Sequence, residues 1–288
     1  MIDFLGNPGV AIALAGVLGL IVGSFLNVVI LRLPARLMHG WRQQSRELLE
    51  LPDEADAAAP PGIVWKSSHC PQCKHPLGAL ENIPLLSWLS LRGFCRHCKA
   101  PISIQYPLIE LLTALCSAAI VWHFGFDWQA GAGLLLTWTL IALAGIDVRT
   151  QLLPDQLTLP LLWLGLLLSL VPLFVGSSTS ILGAAIGYLS LWSVYWLFKL
   201  ATGKEGMGYG DFKLLAAFGA WLGPVALLPI VLLSSLIGAI VGGAYLAIRG
   251  HDRATPIPFG PFIAAAGWVW FVYGEPLSAL YRQLIGLA

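Results

Sequence analysis

Eight apolar segments run through this chain, at about residues 9–33, 107–124, 130–146, 157–175, 179–198, 212–223, 225–248 and 258–274. Crossing the hydrocarbon core of a bilayer takes roughly 20 apolar residues in a helix. The segments therefore predict an all-α, polytopic membrane protein. Charge agrees: 11% of the 288 residues are charged, against about 25% in a soluble domain. The first segment begins near Gly9 without a basic region before it, and reaches Leu33 without a small-residue cleavage site. It reads as a retained helix rather than a cleaved signal peptide. Gly223-Pro224 predicts a break between the sixth and seventh segments. Counting both gives eight spans, and merging them gives seven.

Basic residues favour eight. The polar segment 34–106 carries Arg36, Arg42, Arg46, Lys66, Lys74, Arg92, Arg96 and Lys99. The positive-inside rule places it in the cytoplasm and the N-terminus outside. With eight spans, Arg32, Arg149, Lys199, Lys204, Lys213, Arg249 and Arg253 also face inward, leaving only Arg282 of the 16 Lys and Arg outside. Seven spans would expel Arg249 and Arg253. The outer loops, such as 125–129 and 176–179, are short, so the chemistry is expected in the membrane or on its cytoplasmic face. Net charge is +1 and no basic stripe with interleaved aromatics stands out, so nucleic acid is not an expected partner. Leu51 to Pro61 reads as a flexible linker.

Within 34–106, Cys70-Pro-Gln-Cys73 and Cys95-Arg-His-Cys98 form two C-x-x-C pairs. Two such turns bring four thiolates onto one tetrahedral Zn2+. A pair of disulfides or a redox dithiol is the alternative, which a reducing cytoplasmic loop disfavours. With Cys70, Cys73, Cys95 and Cys98 all bound, no ligand position stays open, so the metal is expected to staple a domain too small to fold on its own core. His69, His75 and His97 are lower-ranked ligands, and Cys116, in the second helix, reads as packing.

Of fifteen Asp and Glu, Glu110, Asp147, Asp155 and Asp211 lie in or beside apolar segments, where an ionised group is costly. Asp147 terminates the third helix and Asp211 opens the sixth, in Gly206-Met-Gly208-Tyr-Gly210-Asp211. Eight spans put both at the cytoplasmic ends of their helices, at one depth where they can meet. Two carboxylates held close share a proton, giving a base to activate water and an acid to protonate a leaving amine. The glycines before Asp211 are expected to allow unusual dihedrals and close approach of an extended substrate. Asp155 reads as a solvated or helix-capping residue.

At these residues the sequence resembles the type IV prepilin peptidase family, the leader peptidases and N-methyltransferases of type IV pilus and type II secretion systems. The resemblance runs through Gly23-Ser-Phe-Leu-Asn27 to Arg32-Leu-Pro34, the cysteine loop, Glu81-Asn-Ile-Pro84, Tyr106 to Glu110, the Asp147 segment, Gly206 to Leu214, and Pro258-Phe-Gly-Pro261. It implies an eight-helix aspartic protease of the bacterial inner membrane that cuts the basic leader from prepilins or pseudopilins, with Asp147 and Asp211 as the catalytic pair and no acyl-enzyme. It also implies methylation of the new α-amine with S-adenosylmethionine, for which Asn27, Arg32, Glu81 and Glu110 are the candidates. By their chemistry Arg32 could pair with a carboxylate of the donor and a Glu could orient or deprotonate the amine, the alternatives being Arg32 as a positive-inside anchor and Glu81 as a solvated loop residue. The regions implied are a first membrane helix (1–33), a cytoplasmic zinc loop associated with methyl transfer (34–106) and a protease core (107–288). Gly238, Gly242 and Gly243 would let a substrate helix approach, or would pack internally. A transporter or assembly factor with a zinc-ribbon docking domain is the alternative from another class.

Overall fold

In the computed structural model, residues 7–51, 59–64, 66–249 and 257–284 are described. The central part of the expected linker, 52–58, and Arg253 lie outside them. The described elements are helices, with two isolated β-bridges: α1 (Pro8–Leu48), α2 (Leu86–Ser90), α3 (Gln105–Phe124), α4 (Trp128–Thr150), α5 (Asp155–Leu168), α6 (Ser177–Thr202), α7 (Tyr209–Leu222), α8 (Leu227–Arg249) and α9 (Gly260–Leu284). Each of the eight apolar segments lies largely on a helix. Among the described residues, five helical stretches are long and apolar enough to cross a membrane: Pro8–Leu48, Gln105–Phe124, Trp128–Thr150, Ser177–Thr202 and Pro224–Ala244. This chain is a multi-pass membrane protein. Helices α5 and α7 have 14 residues each, about 21 Å at 1.5 Å per residue, which is short of a full span.

Helix α1 does not stop at Leu33 but continues through Pro34 to Leu48, because the polar residues that follow are themselves good helix formers. The chain divides into compact units at Ala130/Gly131, so α1, the cysteine loop and α3 form one unit. The break at Gly223-Pro224 is real: α7 ends at Leu222, Gly223 takes φ +78°, and a 3₁₀ turn at Pro224–Ala226 precedes α8.

In the first unit α1 packs along α3 through small residues. A Cβ on Gly19 would lie 2.7 Å from the Ala114 Cα, and one on Gly23 2.7 Å from the Glu110 Cα. Such close crossings let membrane helices gain van der Waals contact. The second unit is centred on α7, whose residues Asp211 to Trp221 are nearly all buried apart from Lys213. Gly183 of α6 and Gly219 of α7 meet backbone to backbone; the Ser180 hydroxyl donates to the Ala220 carbonyl (2.7 Å), and the Trp221 indole to the Leu161 carbonyl (2.9 Å). Gly183→Ala is expected to destabilise the protein by about 2 kcal/mol or more, since backbone cannot move aside. Gly131→Ala, where a Cβ meets nothing within 4 Å, is expected to be near neutral; thermal unfolding of both in detergent checks this. Outward faces are rich in residues such as Leu18, Ile21, Leu182 and Leu189, which suits contact with lipid. Gly238 and Gly242 pack internally, against Phe262 and Ile257, whereas a Cβ on Gly243 would meet nothing.

Candidate functional site

Asp147 lies three residues before the end of α4, and Asp211 in the first turn of α7. Their exposures are 5% and 7%, and the Leu153 side chain lies against both Gly260, whose amide meets Asp147, and Gly210, the neighbour of Asp211. Asp147 Oδ2 accepts the Gly260 N–H, at the start of α9, at 3.0 Å. A Cβ on Gly260 would lie 2.7 Å from that oxygen, so only glycine lets the amide come so near. Asp211 Oδ1 is buried with no hydrogen-bond partner among the described residues, which marks it as an atom available to a reactant.

The glycines before Asp211 do not carry the unusual dihedrals expected of them. Gly208 has φ −82° and ψ 147°, and neither Gly206 nor Gly210 has positive φ. Packing explains two of them: a Cβ on Gly210 would strike the Leu153 side chain at 2.6 Å, and one on Gly206 the Phe198 ring at 2.9 Å. At Gly208 the nearest atom is Asp211 Oδ2, at 3.8 Å, so space is left beside the carboxylate. The preceding loop is tied down by Lys199, which donates to Glu205 at 2.8 Å and to the Tyr195 hydroxyl at 3.3 Å. Asp155 is exposed and does not cap α5, whose N-cap is Pro154; it pairs with Lys213 at 2.6 Å.

In the first unit Cys70, Cys73, Cys95 and Cys98 converge, with all four sulfurs within 4.8 Å of one another. The Cys70–Cys98 separation of 3.8 Å matches the edge of a tetrahedron with Zn–S bonds of about 2.3 Å, so the donor set fits zinc. The two turns are near copies, a repeat that the sequence reading missed although it is legible as Cys70-Pro-Gln-Cys73-Lys74-His75-Pro76-Leu77 and Cys95-Arg-His-Cys98-Lys99-Ala100-Pro101-Ile102. In each, the first Cys N–H donates to residue i+5 and the Lys N–H returns to the first Cys carbonyl. Lys74 and Lys99 take φ +59° and +58°. The backbone N–H of Cys73, helped by that of Gln72, holds the Cys70 thiol down at about 7, while burial and the neighbouring thiols push Cys73 up to about 11; a bound cation favours the thiolate at both. His75 and His97 group with Glu81 instead of with the thiols, their rings 3.5 Å apart.

A cavity of about 470 Å³ between α1, α3 and the cysteine loop is lined by Asn27, Arg32, Glu81 and Glu110, along with Ser24 and Tyr106. All four residues singled out for methyl transfer thus face one space. Asn27 donates to the Gly23 and Tyr106 carbonyls, at 3.3 and 3.1 Å. Arg32 donates to the carbonyls of Gly62, Lys66 and Ser67 (2.7, 2.8 and 3.3 Å), so it ties the loop to α1. Glu81 accepts the Gly78 N–H at 3.0 Å, which keeps its carboxyl below the usual range. Glu110 accepts the Leu85 N–H at 2.8 Å.

Residues 17–124 match the bacterial peptidase A24 N-terminal domain, and residues 134–243 match the type IV leader peptidase family. A prepilin leader peptidase/N-methyltransferase of Xanthomonas campestris pv. campestris is 56% identical over 98% of both chains. The chain belongs to the type IV prepilin peptidase family. Proteins of the same printed name from Stutzerimonas stutzeri and Pseudomonas aeruginosa are 55% and 52% identical, each over 99% of both chains. No solved structure matches. Both halves of the prepilin peptidase pattern, the N-terminal domain and the peptidase, are therefore present here.

Proposed function

We propose that this member of the prepilin peptidase family cuts leaders from prepilins or pseudopilins with Asp147 and Asp211, and methylates the new N-terminus in the cavity beside the cysteine loop. The observation that carries the first half is the pair itself: two buried carboxylates on apolar helices of one compact unit, flanking the same Leu153 side chain. Buried acids in such surroundings need a functional reason.

In the proposed reaction one carboxylate removes a proton from water, and the resulting oxygen nucleophile attacks the scissile carbonyl. The second carboxyl protonates the nitrogen as the tetrahedral intermediate collapses. Asp147, fixed by the Gly260 amide, is the oriented partner, and Asp211 Oδ1, buried without a hydrogen-bond partner among the described residues, is the atom left to exchange a proton with the water or the substrate. A prepilin is an apolar helix with a charged leader, so its scissile bond lies at the membrane boundary. Eight spans, including the short α5 and α7 and also α9, with the N-terminus outside, would bring both aspartates to that depth on the cytoplasmic side.

The four cysteines would hold Zn2+ as a staple. S-adenosylmethionine supplies an activated methyl group on a sulfonium. The cavity volume falls within the ordinary range for small-molecule sites, about 300–1,000 Å³. The transporter or assembly-factor alternative gives way to family membership.

Mass spectrometry of a prepilin incubated with purified enzyme, with and without S-adenosylmethionine, tests both halves. Leader loss in both samples and a methyl increment only with the donor is the expected result. Leader loss alone would overturn the methyltransferase half, and an uncut prepilin would overturn the first.

A further inference from the structure

Glu110 is the acid in the first unit whose burial is least explained by its surroundings. It is 7% exposed, lies near the start of α3 and lines the cavity. Its partners are neutral: the Leu85 N–H at 2.8 Å and the Ser24 hydroxyl. Among the described residues no Lys, Arg or His forms an ion pair with it, and Arg32, a cation of the same cavity, is engaged by three backbone carbonyls. A buried carboxylate without a countercharge is costly.

The amide that meets it is held at a cost too. Leu85 takes φ 59° and ψ −50°, and the Leu86 N–H donates to the Pro84 carbonyl at 2.6 Å. This is the γ-turn with positive central φ, a rare and strained conformation for a residue with a side chain. Such strain persists where the surroundings impose it and clusters at ligand sites. Here it fixes one edge of the Glu110 carboxylate.

We infer that Glu110 is the subsite for the α-ammonium group of the processed substrate, the new N-terminus of an apolar helix. The position of Glu110 favours this cation over one carried by the methyl donor. Its Cα packs against Gly23, inside the apolar part of α1, so it marks the membrane end of the cavity; Cys70, Lys74 and Arg96 line the loop end. An amine tethered to a membrane helix reaches the first end, and a water-soluble donor enters by the second. In the transfer, the ammonium proton passes to the Glu110 carboxylate. The nitrogen lone pair then forms the N–C bond to the methyl carbon while the C–S bond breaks, its electron pair going to sulfur. Positive charge moves from sulfonium to the methylated ammonium.

This inference rests on the methyltransferase reading of the cavity, and its test separates the two. Binding of a synthetic peptide with the mature pilin N-terminus, as free amine and as N-acetyl derivative, is measured on the full-length zinc-loaded protein in detergent, beside binding of S-adenosylmethionine. Wild type is expected to prefer the free amine by about tenfold or more. Glu110→Gln, which can still accept the Leu85 N–H, is expected to lose that preference while donor affinity stays within about twofold. Glu110→Asp, which keeps the charge, is expected to recover part of it. Equal binding of the two peptides by wild type, a preference retained in Glu110→Gln, or a loss of donor affinity in place of peptide preference would each overturn the inference. A preference for the free amine in a wild-type protein that binds no donor would leave the ammonium subsite standing and remove the methyltransferase reading.

Discussion

Asp147→Asn and Asp211→Asn are each expected to lower leader cleavage by about a thousandfold or more, because a carboxamide neither accepts nor delivers the proton that hydrolysis moves. Both changes keep side-chain volume. In Asp147→Asn the new side-chain amide oxygen can still accept the Gly260 N–H that Asp147 accepts at 3.0 Å, so local geometry should survive. Each change also removes a buried ionisable group from an apolar site, which costs a fold nothing and can stabilise it. Loss of cleavage with unchanged or higher thermal stability in detergent is therefore the expected pairing. Loss of cleavage together with collapse of the fold would assign these residues a structural role instead.

The next largest effect is expected at the cysteine loop. Cys95 is buried, and its sulfur lies within 4.8 Å of the other three. Cys95→Ser removes one of four thiolates from a site whose metal supplies folding free energy, about 10–16 kcal/mol for structural zinc in small domains. Among the described residues the loop contains only short helical turns and two isolated bridges, so besides the Arg32 and Glu110 contacts that tie it to α1 and α3 the metal is its main internal cross-link. Bound zinc should fall from one per chain to none, and methylation should fall with it, since the loop forms one wall of the cavity. Leader cleavage should change only a few-fold, because Asp147 and Asp211 belong to the other compact unit. Zinc content and the two rates, measured on one preparation, check this. Equal loss of both activities in well-folded protein would count against separable sites.

Much of this was legible in the sequence because membrane helices and zinc turns are local signals. Each apolar run lies largely on a helix, and the Gly223-Pro224 break is visible because both residues act on their own backbone. Boundaries set by context were not legible. Helix α1 continues past Pro34 through polar residues that suit a helix, and hydropathy cannot show that α7, at 14 residues, is buried by protein. The two aspartates stood out by cost, yet the Gly260 amide that fixes Asp147 comes from 113 residues away. Nothing local in Gly206 to Gly210 distinguishes glycine needed for dihedrals from glycine needed for packing against Phe198 and Leu153; only the fold does. The meeting of Glu110 with Leu85 depends on the loop folding back onto α3 and has no sequence signature. The repeated C-x-x-C-K-x-P pattern did have one.

The most direct test of two sites on one chain uses Asp211→Asn, S-adenosylmethionine and an equal mixture of intact prepilin and previously processed pilin, read in one mass spectrum. The expected result is that the prepilin keeps its leader while the processed pilin gains one methyl group. Removal of the leader by this variant, or failure to methylate processed pilin that wild type methylates, would contradict it.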